Sequence, residues 1–186
     1  MLARPDDAPV ESPAMQARAS HDIRKALAQF ATGVTVVTTR AADGTPVGLT
    51  VNSFASVSLE PPLVLWSIAL NAQSFEAFRT CENYLIHVLA ADQLELAGVF
   101  ATRGADKFGA ARWRLNDSGL PLLEGCVAWF ECGNRSQYPE GDHVILVGRV
   151  EAFAIAGGAP LIFHDSRYVR RLDEAPLPRA LRSPWT

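Results

Sequence analysis

Cysteine is scarce in this chain and forms no pattern. Cys81, Cys126 and Cys132 are odd in number, and no two make a C-x-x-C pair. That argues against a disulfide framework and makes a reducing cytoplasm the expected home. Histidine is as thin: His21, His87, His143 and His164 are too scattered for a local metal-ligand spacing, so no metal site is expected. Nowhere do eighteen apolar residues run together, and no membrane-spanning helix is expected. Positive charge is not in excess either. Seventeen Lys and Arg against twenty Asp and Glu leave a net charge of −3, without the basic stripe a nucleic-acid partner would need. There is no G-x-G-x-x-G after a strand, no P-loop, no G-x-S-x-G and no H-E-x-x-H. A nicotinamide nucleotide, if bound, is therefore not held by a Rossmann turn.

What is present is an apolar chain of one-domain size: 186 residues, 48% hydrophobic. Residues 1–20 carry Pro5, Asp6, Asp7, Pro9 and Pro13 and read as a disordered leader. Residues 21–170 read as the folded domain. Residues 171–186, broken by Pro176, Pro178 and Pro184, read as a Pro- and Arg-containing tail. Asp22 can cap a short helix ending at Gly33. Val34 to Thr39 is β-branched enough for a buried strand, and Asp43-Gly44 suits the hairpin turn that follows it. Further strands are expected over Pro46–Ser53, Leu63–Ile68, Tyr84–Leu89, Val127–Cys132 and Val144–Phe153. Short helices are expected over Ala72–Thr80 and from an Asp92 cap to Phe100, with polar loop over Gly104–Arg114. Strands outnumber helices and follow one another directly, which predicts a mainly β protein, an antiparallel barrel decorated by short helices.

The most informative stretch runs from Gly48 to Pro62 (GLTVNSFASVSLEPP). It starts as an alternating strand and becomes a run of hydroxyls and an amide with little side-chain bulk. Such a segment offers many hydrogen-bonding groups while letting a flat ligand approach the main chain, as a flavin requires. The run resembles the flavin-binding stretch of the small flavin reductases that serve two-component monooxygenases, single-domain proteins with the split-barrel FMN-binding fold. Phe30-Ala31-Thr32-Gly33 leading into Val34–Thr39, then Asp106-Lys107-Phe108, then Gly141-Asp142-His143, resemble three further motifs of that family in the same order. The resemblance spans about Asp22 to Tyr168.

The resemblance implies that Thr50, Val51, Asn52, Ser53, Ser56, Val57, Ser58 and Ser67 supply contacts to the flavin ring. Asn71, Gln73 and Ser74 stand near an expected helix start, where free N–H groups suit a phosphate. No basic residue accompanies them, so the phosphate's cation is expected at Lys107 or Arg79. Lys107, Phe108 and Tyr168 are expected near the flavin. His143 is implied over the flavin face as a positioning residue for the nicotinamide. His87, where the family tends to show Asn, reads as a satisfied core or interface histidine.

The implied activity is an NAD(P)H:flavin oxidoreductase, using NADH or NADPH to reduce FMN or FAD and supplying reduced flavin to a separate flavin-dependent monooxygenase. A homodimer is implied with it. Two alternatives stay open. One is a non-catalytic flavin-binding redox sensor or storage module. The other is an oxidase of the pyridoxamine-phosphate type, for which only Arg167, Arg170 and Arg171 could form the phosphate cluster.

Overall fold

A computed structural model describes residues 21–169; the expected leader and tail, with Arg170 and Arg171, lie outside them. After a helical stretch over 21–27, twelve strands and two short helices follow. They are β1 (Thr32–Gly33), β2 (Thr35–Arg40), β3 (Pro46–Val51), β4 (Ala55–Leu59), β5 (Pro62–Ala69), α1 (Phe75–Thr80), β6 (Asn83–Val88), α2 (Leu94–Ala101), β7 (Trp113–Leu115), β8 (Pro121–Leu123), β9 (Ala128–Glu140), β10 (His143–Ile155), β11 (Ile162–His164) and β12 (Arg167–Val169). Seven form one antiparallel sheet in the order β3-β2-β6-β9-β10-β5-β4. The split-barrel expectation holds.

The sheet curls so that β3 meets β5. The seam is Ser53: its Oγ accepts the Ser67 backbone N–H at 2.9 Å and lies 3.3 Å from the Ser67 carbonyl, to which it donates. Inside the curl, Val37, Val51, Val64, Trp66, Ile68, Tyr84, Ile86, Cys132, Val144 and Leu146 form the main core, with Phe78 of α1 closing one end. Edge-to-face contacts of Trp66 with Phe78 (5.0 Å) and Tyr84 (5.7 Å) fill its centre. A second core sits on the other side of β2, where Val34 and Val36 pack against Ala97 and Phe100 of α2 and Leu161 beside β11.

Several boundaries differ from the sequence-based expectation. The Ala55–Leu59 run is an edge strand paired with β5, where no separate strand was expected. The last two long strands extend to Glu140 and start again at His143, leaving a two-residue hairpin loop of Gly141 and Asp142. Gly141 has φ +61° while Asp142 does not share that sign, the pattern of a II′ turn with glycine first. The expected polar loop ends in an unforeseen hairpin, β7–β8, held by a buried Thr38 hydroxyl donating to the Pro121 carbonyl at 2.6 Å. Asp92 does not cap α2; Gln93 does by position, its own side chain accepting the Ala90 N–H. Gly33 sits in β1, paired with Ile162, and so does not end a helix.

Candidate active site

A cavity of about 620 Å³ opens between β3, the 71–74 turn and the loop after α2. Its volume is in the range of small-molecule sites. Three local devices build it. On β3, Gly48 is required by close approach: a methyl there would come within 2.7 Å of the Phe100 ring and 3.2 Å of Thr38 Cγ2. The missing side chain lets α2 lie against the strand, and Thr50 Oγ1 fixes it by donating to the Ala97 carbonyl at 2.7 Å. At the end of β5, the chain turns through Asn71, Ala72 and Gln73 to Ser74, a buried residue with no side-chain capping bond. Its hydroxyl is thus not spent on the helix. Gln73 Oε1 accepts the Gly104 N–H at 3.2 Å and ties this turn to the loop across the rim.

The Asp106-Lys107-Phe108 motif is the third device. Asp106 Oδ1 accepts the Gly109 N–H at 3.0 Å and bends the loop. Phe108 anchors it between Phe100 (5.3 Å) and Trp113 (5.2 Å), and Trp113 Nε1 donates to the Phe108 carbonyl. Lys107 is thereby turned inward, half-buried, its Nζ donating to the Gly48 carbonyl at 2.9 Å. Desolvation lowers its pKa.

A smaller cavity of about 160 Å³ shares Thr50 and Ala101 with the first and is walled by Val34, Val51, Asn52, Phe163 and Tyr168. Phe163 and Tyr168 meet edge to face at 5.3 Å across the β11–β12 pair. The two cavities meet at Thr50 and Ala101, with Phe100 and Phe108 in the wall of the first and Phe163 and Tyr168 in that of the second.

Of the residues singled out in the sequence, Thr50, Val51, Asn52, Asn71, Ser74, Lys107, Phe108 and Tyr168 come together here. Ser53 and Ser67 form the barrel seam instead. Ser56, Val57 and Ser58 lie on edge strand β4 and line neither cavity. His143 opens β10 opposite Ala69. Val144 and Leu146 point into the core, so His143 and Ile145 face outward with Ser67. It is exposed, lines neither cavity, and its Nδ1 is 2.7 Å from Asp142 Oδ1. The Asp142 carbonyl accepts the Leu70 N–H at 2.9 Å, which joins this hairpin to the 71–74 wall.

Arg79 is not available as the phosphate's cation: it lies outside both cavities and its guanidinium grips Glu76 one turn back on α1. The second cation of the cleft is Arg103, which sequence reasoning passed over although it stands four residues before Lys107 in the same loop. Phe163 was also missed; its only signal is an aromatic five residues before Tyr168. His87 is a core residue. Its Nδ1 bonds the Val36 carbonyl (3.0 Å) and its Nε2 accepts the Leu123 N–H (3.1 Å), joining β2, β6 and β8. Burial pulls its pKa down to about 4. Burial also pushes the Cys126 and Cys132 thiols up to about 12, which makes them inert packing groups. Among the described residues no group of His, Cys, Asp and Glu could hold a metal ion, and no helix is long and apolar enough to cross a membrane.

The donor set fits a flavin. Aromatic walls suit a flat ring, uncommitted amides and the Ser74 hydroxyl suit its polar edge, and two cations suit a phosphate. Comparison with known proteins points the same way. FMN reductase (NADH) SmoA of Agrobacterium fabrum is 46% identical over 151 residues, covering 81% of this chain and 86% of that protein. The reductase component of the flavin-dependent trigonelline monooxygenase of Acinetobacter baylyi is 42% identical over 147 residues, covering 79% of this chain but only 47% of that one. Among solved structures, the Streptomyces globisporus NADH:FAD oxidoreductase SgcE6, in complex with NAD and FAD fragments, superposes with a TM-score of 0.79 at 33% identity, covering 91% of this chain and all of that one. The profile of the flavin reductase like domain matches residues 27–171. This chain belongs to the flavin reductase-like domain family.

Proposed function

We propose that this protein is an NADH-dependent flavin reductase that reduces FMN or FAD and delivers the product to a separate flavin-dependent monooxygenase. The observation that carries this is the first cavity, whose wall brings Gly48–Thr50 of β3 together with the Lys107-Phe108 loop. Relatives named as NADH-linked FMN reductases and as reductase components of monooxygenases support it.

A flavin held here would supply the acceptor for hydride from NADH, a transfer that needs no side-chain acid or base. The protein's task is therefore to bind and orient. Lys107 and Arg103 bring positive charge to the flavin's phosphate or to the ring as it gains electrons. Thr50, Val51, Asn52, Asn71 and Ser74 frame the polar edge, with Phe108 and Tyr168 as aromatic walls. Ser53 and Ser67 hold the strand end in place from the seam. His143, on the hairpin joined to the 71–74 wall, positions the nicotinamide. NADPH is the alternative reductant.

The protein works as a homodimer in this reading. Support comes from apolar side chains left bare on a single chain: Val57 and Leu59 on β4, and Phe153 and Ile155 at the end of β10, each at least half exposed. Three free cysteines, two of them buried, fit a cytoplasmic setting.

Anaerobic stopped-flow mixing of the flavin-loaded protein with NADH tests the activity. Rapid loss of oxidised-flavin absorbance is the expected result. Flavin that binds but keeps its colour would leave a storage or sensor module in its place.

A further inference from the structure

The first cavity is bordered on one side by a short span with separate anchors at its two ends. Thr102 ends α2, its N–H reaching the Gly98 and Val99 carbonyls and its hydroxyl donating to Gly98 at 2.8 Å. Lys107 and Phe108 fix the other end, on the Gly48 carbonyl and against Phe100 and Trp113. Between these anchors stand Arg103, Gly104 and Ala105, and Arg103 and Ala105 line the cavity. Gly104 has φ +76°, and a methyl built on it would meet nothing within 4 Å, so the span has room to pivot there. It crosses to the opposite rim through one hydrogen bond. The Gly104 N–H donates to Gln73 Oε1 at 3.2 Å, and Gln73 itself lines the cavity from the turn after β5.

This bond is exposed and neutral. Breaking it leaves both hydrophobic cores packed and lets water replace either partner, as suits a contact that opens and closes. We propose that Gln73 is the latch of a flap, Arg103–Ala105, that gates the passage of flavin into and out of the first cavity. The inference rests on the flavin-reductase reading, in which oxidised flavin enters and reduced flavin leaves for another protein. It adds the contact that sets how fast this exchange runs. A latch slows entry and exit together, because it holds the flap down in loaded and flavin-free protein alike. A side chain that grips the flavin slows exit alone.

The test uses the full chain and its Gln73→Met and Gln73→Glu variants, each checked for an unchanged melting temperature. Met keeps the length of the side chain without the acceptor oxygen, whereas Glu keeps the acceptor. Stopped-flow fluorescence gives association and dissociation rates for riboflavin, which has no phosphate for the Glu charge to repel. Both rates should rise roughly twofold to tenfold in Gln73→Met, leaving Kd nearly unchanged. Gln73→Glu should return both toward native. Hydrogen exchange by NMR on flavin-free protein supplies a readout independent of ligand. The Gly104 amide should exchange faster in Gln73→Met, and the Thr102 amide should not. Faster dissociation with native association would make Gln73 a ligand contact and overturn the latch. So would native values of both rates, or an unchanged Gly104 amide. A native protein that binds neither riboflavin nor FMN overturns the flavin reading beneath it, whatever Gly104 does.

Discussion

Desolvation lowers the pKa of two basic side chains, with opposite meanings for the protein. His87 is fully buried between two backbone partners and makes no contact with the cleft, so its depressed pKa is a matter of stability. The unfolded chain takes up its proton near the ordinary 6.5, the folded chain only near about 4. Between those values the unfolded state binds more protons. The stability His87 confers is therefore complete above pH 6.5 and is lost as pH falls toward 4, by about 3 kcal/mol at most. Urea midpoints from pH 4.5 to 8 should show this decline, and His87→Asn, which keeps a donor and an acceptor without the titration, should flatten it. An equal acid slope in both proteins would mean that other groups dominate. Lys107 is the functional counterpart. It lies in the cleft and holds the Gly48 carbonyl, so Lys107→Met removes a half-buried charge while keeping most of the stem's bulk. Flavin Kd by fluorescence quenching should rise roughly tenfold or more, whereas Arg103→Ala, at an exposed residue, should cost roughly threefold. Unchanged affinity in Lys107→Met would move the anionic part of the ligand out of this cavity.

At the level of elements, the barrel depends on a seam that contains no strand pairing. β3 and β5 are joined by the Ser53 hydroxyl, which serves both an N–H and a carbonyl of Ser67. Ser53→Ala leaves both groups without that partner and should cost about 1–3 kcal/mol in urea unfolding. It should also weaken flavin binding, because Asn52 and Thr50 lie directly upstream. Loss of flavin affinity with full stability would instead mark Ser53 as a direct ligand. The β2–β3 hairpin, β5 and β6 were legible in the sequence because β-branched runs and an Asp-Gly turn both point to strands there. β4 was hidden because Ala-Ser-Val-Ser-Leu satisfies a strand and a ligand loop equally. The β7–β8 hairpin was hidden because its stability comes from Thr38 and the Glu131–Asn116 contact, both distant in sequence. Helix starts were misjudged by one to three residues, since neither α1 nor α2 has a side-chain cap to advertise it. In the cleft, Lys107 and Phe108 were readable as a motif. Arg103 and Phe163 were not, because a lone cation and a lone aromatic acquire meaning only when the loop and the β11–β12 pair close on β3.

For the whole molecule, the decisive question is what covers the apolar side chains that one chain leaves bare. Leu59 is 82% exposed and Phe153 62%, on strands β4 and β10 that flank β5. Phe153 is the outer member of an aromatic row that runs through Phe130 to Phe54, with ring separations of 6.4 and 5.6 Å. An apolar row leading out of the core to the surface is costly in water and gains when a second copy buries it. Side chains so exposed contribute little to the single chain's stability, so charging them separates association from folding. Leu59→Lys combined with Phe153→Lys should therefore sediment as a monomer at micromolar concentration while keeping native circular dichroism. The native protein should sediment as a dimer across the same range. A double variant that stays dimeric would place the subunit contact on another face, and a native protein that is itself monomeric would remove the homodimer from this account.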